Sequence, residues 1–463
     1  MRKCMIKNLN AVKDILKSIC LVTKRTEIND LMKKHKFWIN TYGVFTLDKK
    51  ETEKFYEVAN FMRNKYNGGK LFKDVAKKDI NNSLLELISK AFVLNTQQEK
   101  LKLIDNFENE FEKQIDDKIK NYEILFPILD FKINSRFTFG DIVFYPFTNY
   151  QLNKEMKFIK NIFDQNGIMT EKDKQKWVKA LRKELSIYHN QSMFRGAFKG
   201  TITAAKLKSY NVVLLHINVL KLLSYDFHNK KPYQRKKINK IMPFETILKS
   251  KDGFRTMTYL PVEFSIDLKD MSFLKTKEAS SLSKILKKVI KDDIEKRILA
   301  SINWAVISIE KSPTQSEESF FFDSSVYMTP NKYLLSQCLL NILIAFETLL
   351  LFKKEKGKKE RLKNRCVVLL ENTKFGESFI SDNIDKLYNL RSEIVHEGRF
   401  NDSPKSVFQL YIFFREIIFN LIKLKNKKEI ITNVQLKIWL KNKVKLKKNL
   451  NLLEDKNQLS RSK

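Results

Sequence analysis

From residue 280 to about 423, apolar residues recur at the three- and four-residue intervals of a helix. The chain also places start and stop signals between these stripes. The first stripe spans 281–311 and carries Ile290, Ile294, Ile298, Ile302, Ala305 and Ile309. Thr329-Pro330 then pairs an N-cap residue with a proline at the first helical position, which predicts a second helix from there to about Phe352. A third helix is expected over 380–397, with Ile380, Ile384, Leu387, Ile394 and Val395 on its apolar face and Gly398 as its stop. Ser403-Pro404 opens a fourth, which runs to about Lys423. Four long helices, each with one apolar face, bury those faces best as a four-helix bundle. Only 11 glycines and 8 prolines occur in 463 residues, too few for an all-β chain of tight turns. No glycine-rich phosphate loop of the Rossmann or P-loop type occurs.

Upstream of the bundle the character changes twice. Residues 1–125 read as mostly helical, with Leu101, Leu103, Ile104, Phe107 and Phe111 at roughly helical spacing. Residues 126–278 read as mixed strand and helix. The run FKINSRFTFGDIVFYPF, with Gly140 and Pro146, predicts short strands, and GAFKGTITA at 196–204 another. The alternating run LPVEFSIDL at 260–268 predicts a half-buried strand. Between them lie an amphipathic helix at 171–190, with Trp177, Ala180, Leu181, Leu185 and Tyr188 on one face, and an apolar helix near 205–225. His216 falls in the latter and reads as a core histidine. Residues 431–463 read as a basic tail, either a frayed helix or a disordered arm. The expected class is α+β, mainly α, divided at 1–125, 126–278, 279–430 and 431–463.

The chain carries 88 basic against 53 acidic side chains, a net charge of +35, which points to a polyanionic partner. The four cysteines, Cys4, Cys20, Cys338 and Cys366, are scattered without a CxxC pair, so a reducing compartment is expected rather than a disulfide framework. The most apolar window, 334–352, is interrupted by Asn341 and Glu347. One charge near the middle of a membrane span costs roughly 3 kcal/mol, so this window reads as a core helix, with no membrane partner. No signal peptide is recognisable, and a cytoplasmic location is expected. No Asp, Glu and His cluster has metal-ligand spacing, and neither a metal nor a cofactor is expected.

The third bundle helix contains LYNLRSEIVHEGRF at 387–400, with four residues between Arg391 and His396. An arginine and a histidine in one cleft can cleave RNA without a metal. The histidine, with an ordinary pKa near neutrality, takes a proton from the 2′-hydroxyl or gives one to the departing 5′-oxygen. The arginine, always charged, holds the phosphate and stabilises the charge that builds on it. Spacing alone is weak, since chance supplies about 0.5 such pairs in a chain of this composition. A second pair, Arg182 and His189, lies in the 171–190 helix and reads as part of a solvated face.

The 387–400 segment resembles the R-x4-6-H signature of the HEPN superfamily, most nearly its Apea-like group. Leu390, Arg391, Ser392, Ile394, Val395, His396 and Gly398 stand in family-like places. NKYLLSQCLLNILIAFETLL at 331–350 resembles the family's second helix, with Glu347 at an acidic position, and RILASINW at 297–304 resembles the end of its first. The resemblance implies a metal-independent endoribonuclease whose composite site forms between two copies of the chain. It makes Arg391 the phosphate-binding group, His396 the acid/base, and Glu347 a supporting residue that could pair with Arg391. Ser392 stands where strongly active members often carry Asn, Asp or His. The resemblance also implies bacterial anti-phage defence of the abortive-infection or toxin type, with an antitoxin or a phage trigger as a further partner. The alternative is a non-catalytic RNA- or nucleotide-binding adaptor or sensor. Two basic patches fit an RNA partner: 353–365, read as a loop after the second bundle helix, with Lys353, Lys354, Lys356, Lys358, Lys359 and Arg361, and 229–240, with Arg235 and a stacking candidate, Tyr233.

Overall fold

A computed structural model describes residues 9–20, 37–40, 43–46, 49–67, 74–129, 133, 135–166, 170–186, 192–224, 244–250, 253–259, 262–263, 271–310, 330–397 and 404–461. The described chain is mainly helical with a smaller, largely antiparallel sheet, as the composition and periodicity imply. Among the described residues no helix is long and apolar enough to cross a membrane.

The N-terminal part comprises α1 (Leu9–Cys20), a hairpin of β1 (Phe37–Asn40) and β2 (Gly43–Thr46), then α2 (Lys49–Asn67), α3 (Lys77–Val93), α4 (Gln97–Asp105) and α5 (Phe107–Lys118). The helices pack around a core of their own that includes Val12, Phe55, Leu84, Ile88 and Phe111. Next come β3 (Lys120–Leu129), β4 (Phe137–Phe139), β5 (Ile142–Pro146), α6 (Asn149–Asn166), α7 (Glu171–Ser186), β6 (Ser192–Gly200), α8 (Ile202–Ser224), β7 (Phe244–Ser250), β8 (Gly253–Tyr259) and β9 (Val262–Glu263). The main sheet has the order β4-β5-β6-β3-β7-β8, and β9 runs parallel to the end of β3 through Ile128↔Val262. Its central strand starts at Lys120, before the expected boundary at 125. With a neighbour on each edge and Ile124, Leu125 and Ile128 all buried, β3 shows an apolar run rather than alternation. Asp79 of α3 clamps the start of α8 by accepting hydrogen bonds from the hydroxyls of Thr201 and Thr203. The buried face of α7 is Val178, Leu181 and Leu185, whereas Trp177 is exposed, because the helix meets α6 on that side.

The C-terminal helices are α9 (Lys277–Lys287), α10 (Asp293–Glu310), α11 (Pro330–Leu350), α12 (Lys358–Leu370), α13 (Glu377–Ser392), α14 (Pro404–Asn426) and α15 (Asn433–Arg461). Two expectations are corrected. The 281–311 stripe is two helices, because Asp292 and Glu295 form a reciprocal capping box, amide to carboxylate at 2.9 and 3.0 Å, that starts α10 afresh. Ile290 therefore lies in the connection, 85% exposed, and not in the apolar face. The lysine-rich stretch after Phe352 is not only a loop but a helix, α12, that buries Leu362, Cys366 and Leu370. Of the two readings of the basic tail the helical one holds: α15 buries Leu436 and Leu440.

One continuous core joins sheet and bundle, running from Ile124, Phe144 and Phe194 through Ile217 to Ile298, Leu339, Phe414 and Leu440. His216 lies in this core as expected, 2% exposed. Its Nδ1 faces the Val212 carbonyl at 2.7 Å and its Nε2 lies 3.2 Å from Asp141, so it ties α8 to the β4–β5 turn. Gly140 in that turn has φ +65, and a Cβ there would fall 2.5 Å from His216 Nε2. Tyr188, His189, Tyr233, Arg235, Thr329, Gly398, Ser403 and most of 260–268 lie outside the described residues.

Candidate functional site

Three helix ends meet where the Arg391–His396 segment lies. Tyr388, near the end of α13, donates a hydrogen bond to Glu347, near the end of α11, at 2.9 Å. The start of α12 adjoins the end of α13: Lys359 reaches Asn389 and Asp385 at 3.2 and 3.3 Å, and Lys363 reaches Asp385 at 3.2 Å. The C-termini of α11 and α13 and the N-terminus of α12 thus share one end of the bundle.

Two arginines, Arg365 buried and Arg297 half-buried, build this end. Arg297 of α10 donates to the carbonyls of Thr348, Leu349 and Leu351, at 2.7, 3.2 and 2.9 Å. Arg365 of α12 donates to the Leu350 carbonyl at 2.6 Å and grips Glu355 with both terminal nitrogens, at 2.7 and 2.8 Å. Carbonyls that have no partner within α11 are satisfied by guanidinium groups. Both guanidiniums also lie over the Phe352 ring, 4.5 and 5.3 Å from its centre. Burial alone would raise the Glu355 carboxyl. The hydrogen bonds and charge of Arg365, with the Phe352 amide, overcome that and hold it down at about 2. Arg365 belongs to the basic stretch by sequence but to the core by structure.

Arg391 and Ser392 close α13 and are exposed. The chain does not stop there but widens into a π turn over Glu393–Glu397. At 3.6 residues per turn, side chains five apart diverge by about 140°. A π turn advances by roughly 80° per residue, so with three such steps from Glu393 the Arg391-to-His396 angle narrows to about 80°. The widened turn therefore brings His396 round toward the side of Arg391, leaving both exposed. Ile394 still packs on the core, but Val395, expected on the apolar face, is 55% exposed. The altered pitch rotates it outward. At the end of a helix the Arg391 guanidinium also sits favourably in the field of the last carbonyls.

Glu347 does not pair directly with Arg391 and instead accepts the Tyr388 hydroxyl. Burial raises the Tyr388 phenol far above its ordinary value, the hydrogen bond to Glu347 and the charge of Glu347 raise it further, and Arg391 opposes them. Tyr388→Phe is expected to cost about 1.5–3 kcal/mol, because it removes a hydrogen bond to a charged, half-buried group. A thermal melt against Glu347→Gln, which keeps an acceptor for the hydroxyl, checks this. Tyr388 carried no signal in the sequence beyond helical spacing, since its partner lies 41 residues away.

Lys353, Lys354, Lys356, Lys358 and Arg361 are exposed around the turn into α12, and Lys359 is half-buried against α13. The turn is shaped by two left-handed residues, Lys354 (φ 64) and Gly357 (φ 65). These lysines border the end of α13 that carries Arg391. Of the second pair only Arg182 is described. Arg182 donates to Asn153 at 2.8 Å beside a charged groove between α6 and α7, and His189 is outside the described residues. Among the described residues no group of three or more His, Cys, Asp or Glu is placed to hold a metal. No family model, curated protein or solved structure matches the chain.

Proposed function

We propose that this chain is a metal-independent endoribonuclease of the HEPN type, acting as a homodimer in anti-phage defence. The reading is carried by one observation: Arg391 and His396 are both exposed at the π-widened end of α13, beside a rim of lysines. His396 supplies the proton transfers and Arg391 the charge that stabilises the phosphorane. The 2′-hydroxyl attacks the phosphorus, loses its proton, and the P–O5′ bond breaks as the 5′-oxygen gains one. The products are a 2′,3′-cyclic phosphate and a free 5′-hydroxyl. Glu347, held by Tyr388, supports the wall of the site, and Ser392 lies next to Arg391 as a polar neighbour. An antitoxin or a phage component would then restrain or release the nuclease.

A single copy supports the association step and also the second reading. Among the described residues Arg391, Val395 and His396 are exposed, so catalysis draws its walls from a second copy, placed by a two-fold axis. If no second copy comes, the same surface suits a non-catalytic RNA-binding adaptor. One experiment separates them: total RNA incubated with the purified full chain in EDTA, with sedimentation at the same concentration. Fragments from a dimer are expected. Intact RNA on a strict monomer supports the adaptor.

A further inference from the structure

Helix α15 lies along α12 in the same direction. Lys437 comes 3.9 Å from Glu355 ahead of α12, and Lys447 comes 3.6 Å from Glu371 just after it and 2.8 Å from Glu377. Leu436, Leu440 and Lys447 form the face that seats α15 on the bundle. Four other lysines, Lys437, Lys441, Lys445 and Lys448, follow at intervals of four, four and three residues and are all exposed. At about 100° per residue this spacing puts them in one stripe on a single flank of the helix. The first two steps rise by about 6 Å and the last by about 4.5 Å, close to the interval between phosphates of an extended strand. The stripe starts beside the 351–357 turn, which carries exposed Lys353, Lys354 and Lys356 and leads to the Arg391 end of the bundle.

We infer that this lysine stripe is a binding track for the phosphate backbone of single-stranded RNA, feeding the strand toward Arg391 and His396. The inference rests on the RNA partner of the proposed function, not on its chemistry. Four like charges on one exposed flank repel one another and are relieved by a polyanion that releases its counterions on binding. An anionic membrane is the rival partner, since Val434, Ile438, Leu446, Leu450, Leu452 and Leu453 are also exposed on α15. It fits less well, because the inner face of the helix is already occupied by the bundle over the same residues that carry the stripe.

The test uses the full chain and a 2′-O-methyl RNA oligonucleotide, which lacks the nucleophile and stays whole. In Lys441→Gln/Lys445→Gln/Lys448→Gln, Lys437 is kept so that its approach to Glu355 survives. This variant is expected to bind roughly tenfold more weakly, with a log-log salt slope shallower by about 2, at some 0.7 per lost phosphate contact. The same charge change at exposed Lys172, Lys176 and Lys183 of α7 is the control, expected to change little. Equal weakening by the control would reduce the effect to net charge and overturn the track. So would unchanged RNA affinity and slope in the α15 variant, including the case in which that variant instead loses binding to phosphatidylserine vesicles. The readout is binding, so a failed nuclease reading, seen as unaltered cleavage by His396→Ala, is distinct from a failed track.

Discussion

His396→Ala is expected to slow RNA cleavage by roughly 10²–10⁴, the contribution of one positioned acid/base group. Arg391→Ala is expected to cost roughly 10²–10³, the loss of one charge stabiliser of the transition state. Neither variant should lose its fold: both side chains are exposed, and neither belongs to the core that holds α13 through Ile380, Ile384, Leu387 and Leu390. Melting curves alongside single-turnover cleavage separate the two effects. Wild-type cleavage should persist in EDTA, leave a 2′,3′-cyclic phosphate, and fail on a DNA strand, which has no 2′-hydroxyl. Arg182→Ala is the control, since Arg182 is hydrogen-bonded to Asn153 on another part of the surface. Undiminished cleavage by His396→Ala would remove this mechanism and leave the bundle as a binding module.

Arg365→Ala is expected to destabilise the chain by about 3–5 kcal/mol, the cost of leaving one partner of a buried ion pair uncompensated. The side chains of Arg365 and Glu355 are only 6% and 5% exposed, so water cannot replace the lost contacts. The Leu350 carbonyl loses a donor at the same time. The pair also makes stability depend on pH. The Glu355 carboxyl is held at about 2 against an ordinary value of 4.5, so the folded state binds its proton less readily than the unfolded one. Its contribution, about 3 kcal/mol at 1.36 kcal/mol per unit, is complete above the unfolded value and is lost as pH falls from 4.5 toward 2. Urea melts at a series of pH values should show this loss in wild type and not in Glu355→Gln. A variant Arg365→Ala as stable as wild type would show that the node contributes little to holding α11, α12 and the Phe352 turn together.

Much of the C-terminal half is determined by local chemistry and is legible residue by residue. Pro330 and Pro404 begin α11 and α14 because proline presets φ and has no amide to leave unpaired. The apolar spacing of Ile380, Ile384 and Leu387 marks the buried face of α13, and the burial of His216 follows from the apolar run around it. The Asp292–Glu295 capping box was also present in the sequence, and it outweighed the fit of Ile290 to the stripe: two backbone amides gained partners, while one isoleucine went to solvent. The lysine spacing of α15 was equally local, but a net basic composition hid it until Leu436 and Leu440 fixed which face turns inward.

Only the tertiary structure decided the rest, and in each case because the deciding partner is distant in the chain. Strand β3 is a strand because β6 and β7, some 70 and 120 residues later, supply its hydrogen bonds. Its own composition fits a helix end as readily. Arg297, Glu355 and Arg365 form one node only when α10, α11 and α12 converge, so sequence counted Arg365 among surface charges. The direct pairing of Glu347 with Arg391 gave way to Tyr388, whose hydroxyl reaches the carboxylate across two helices. The pitch of the turn that carries His396 was beyond periodicity altogether. Over five residues an α and a π turn show the same pattern of apolar positions, and the packing of Ile394 against the core selects between them.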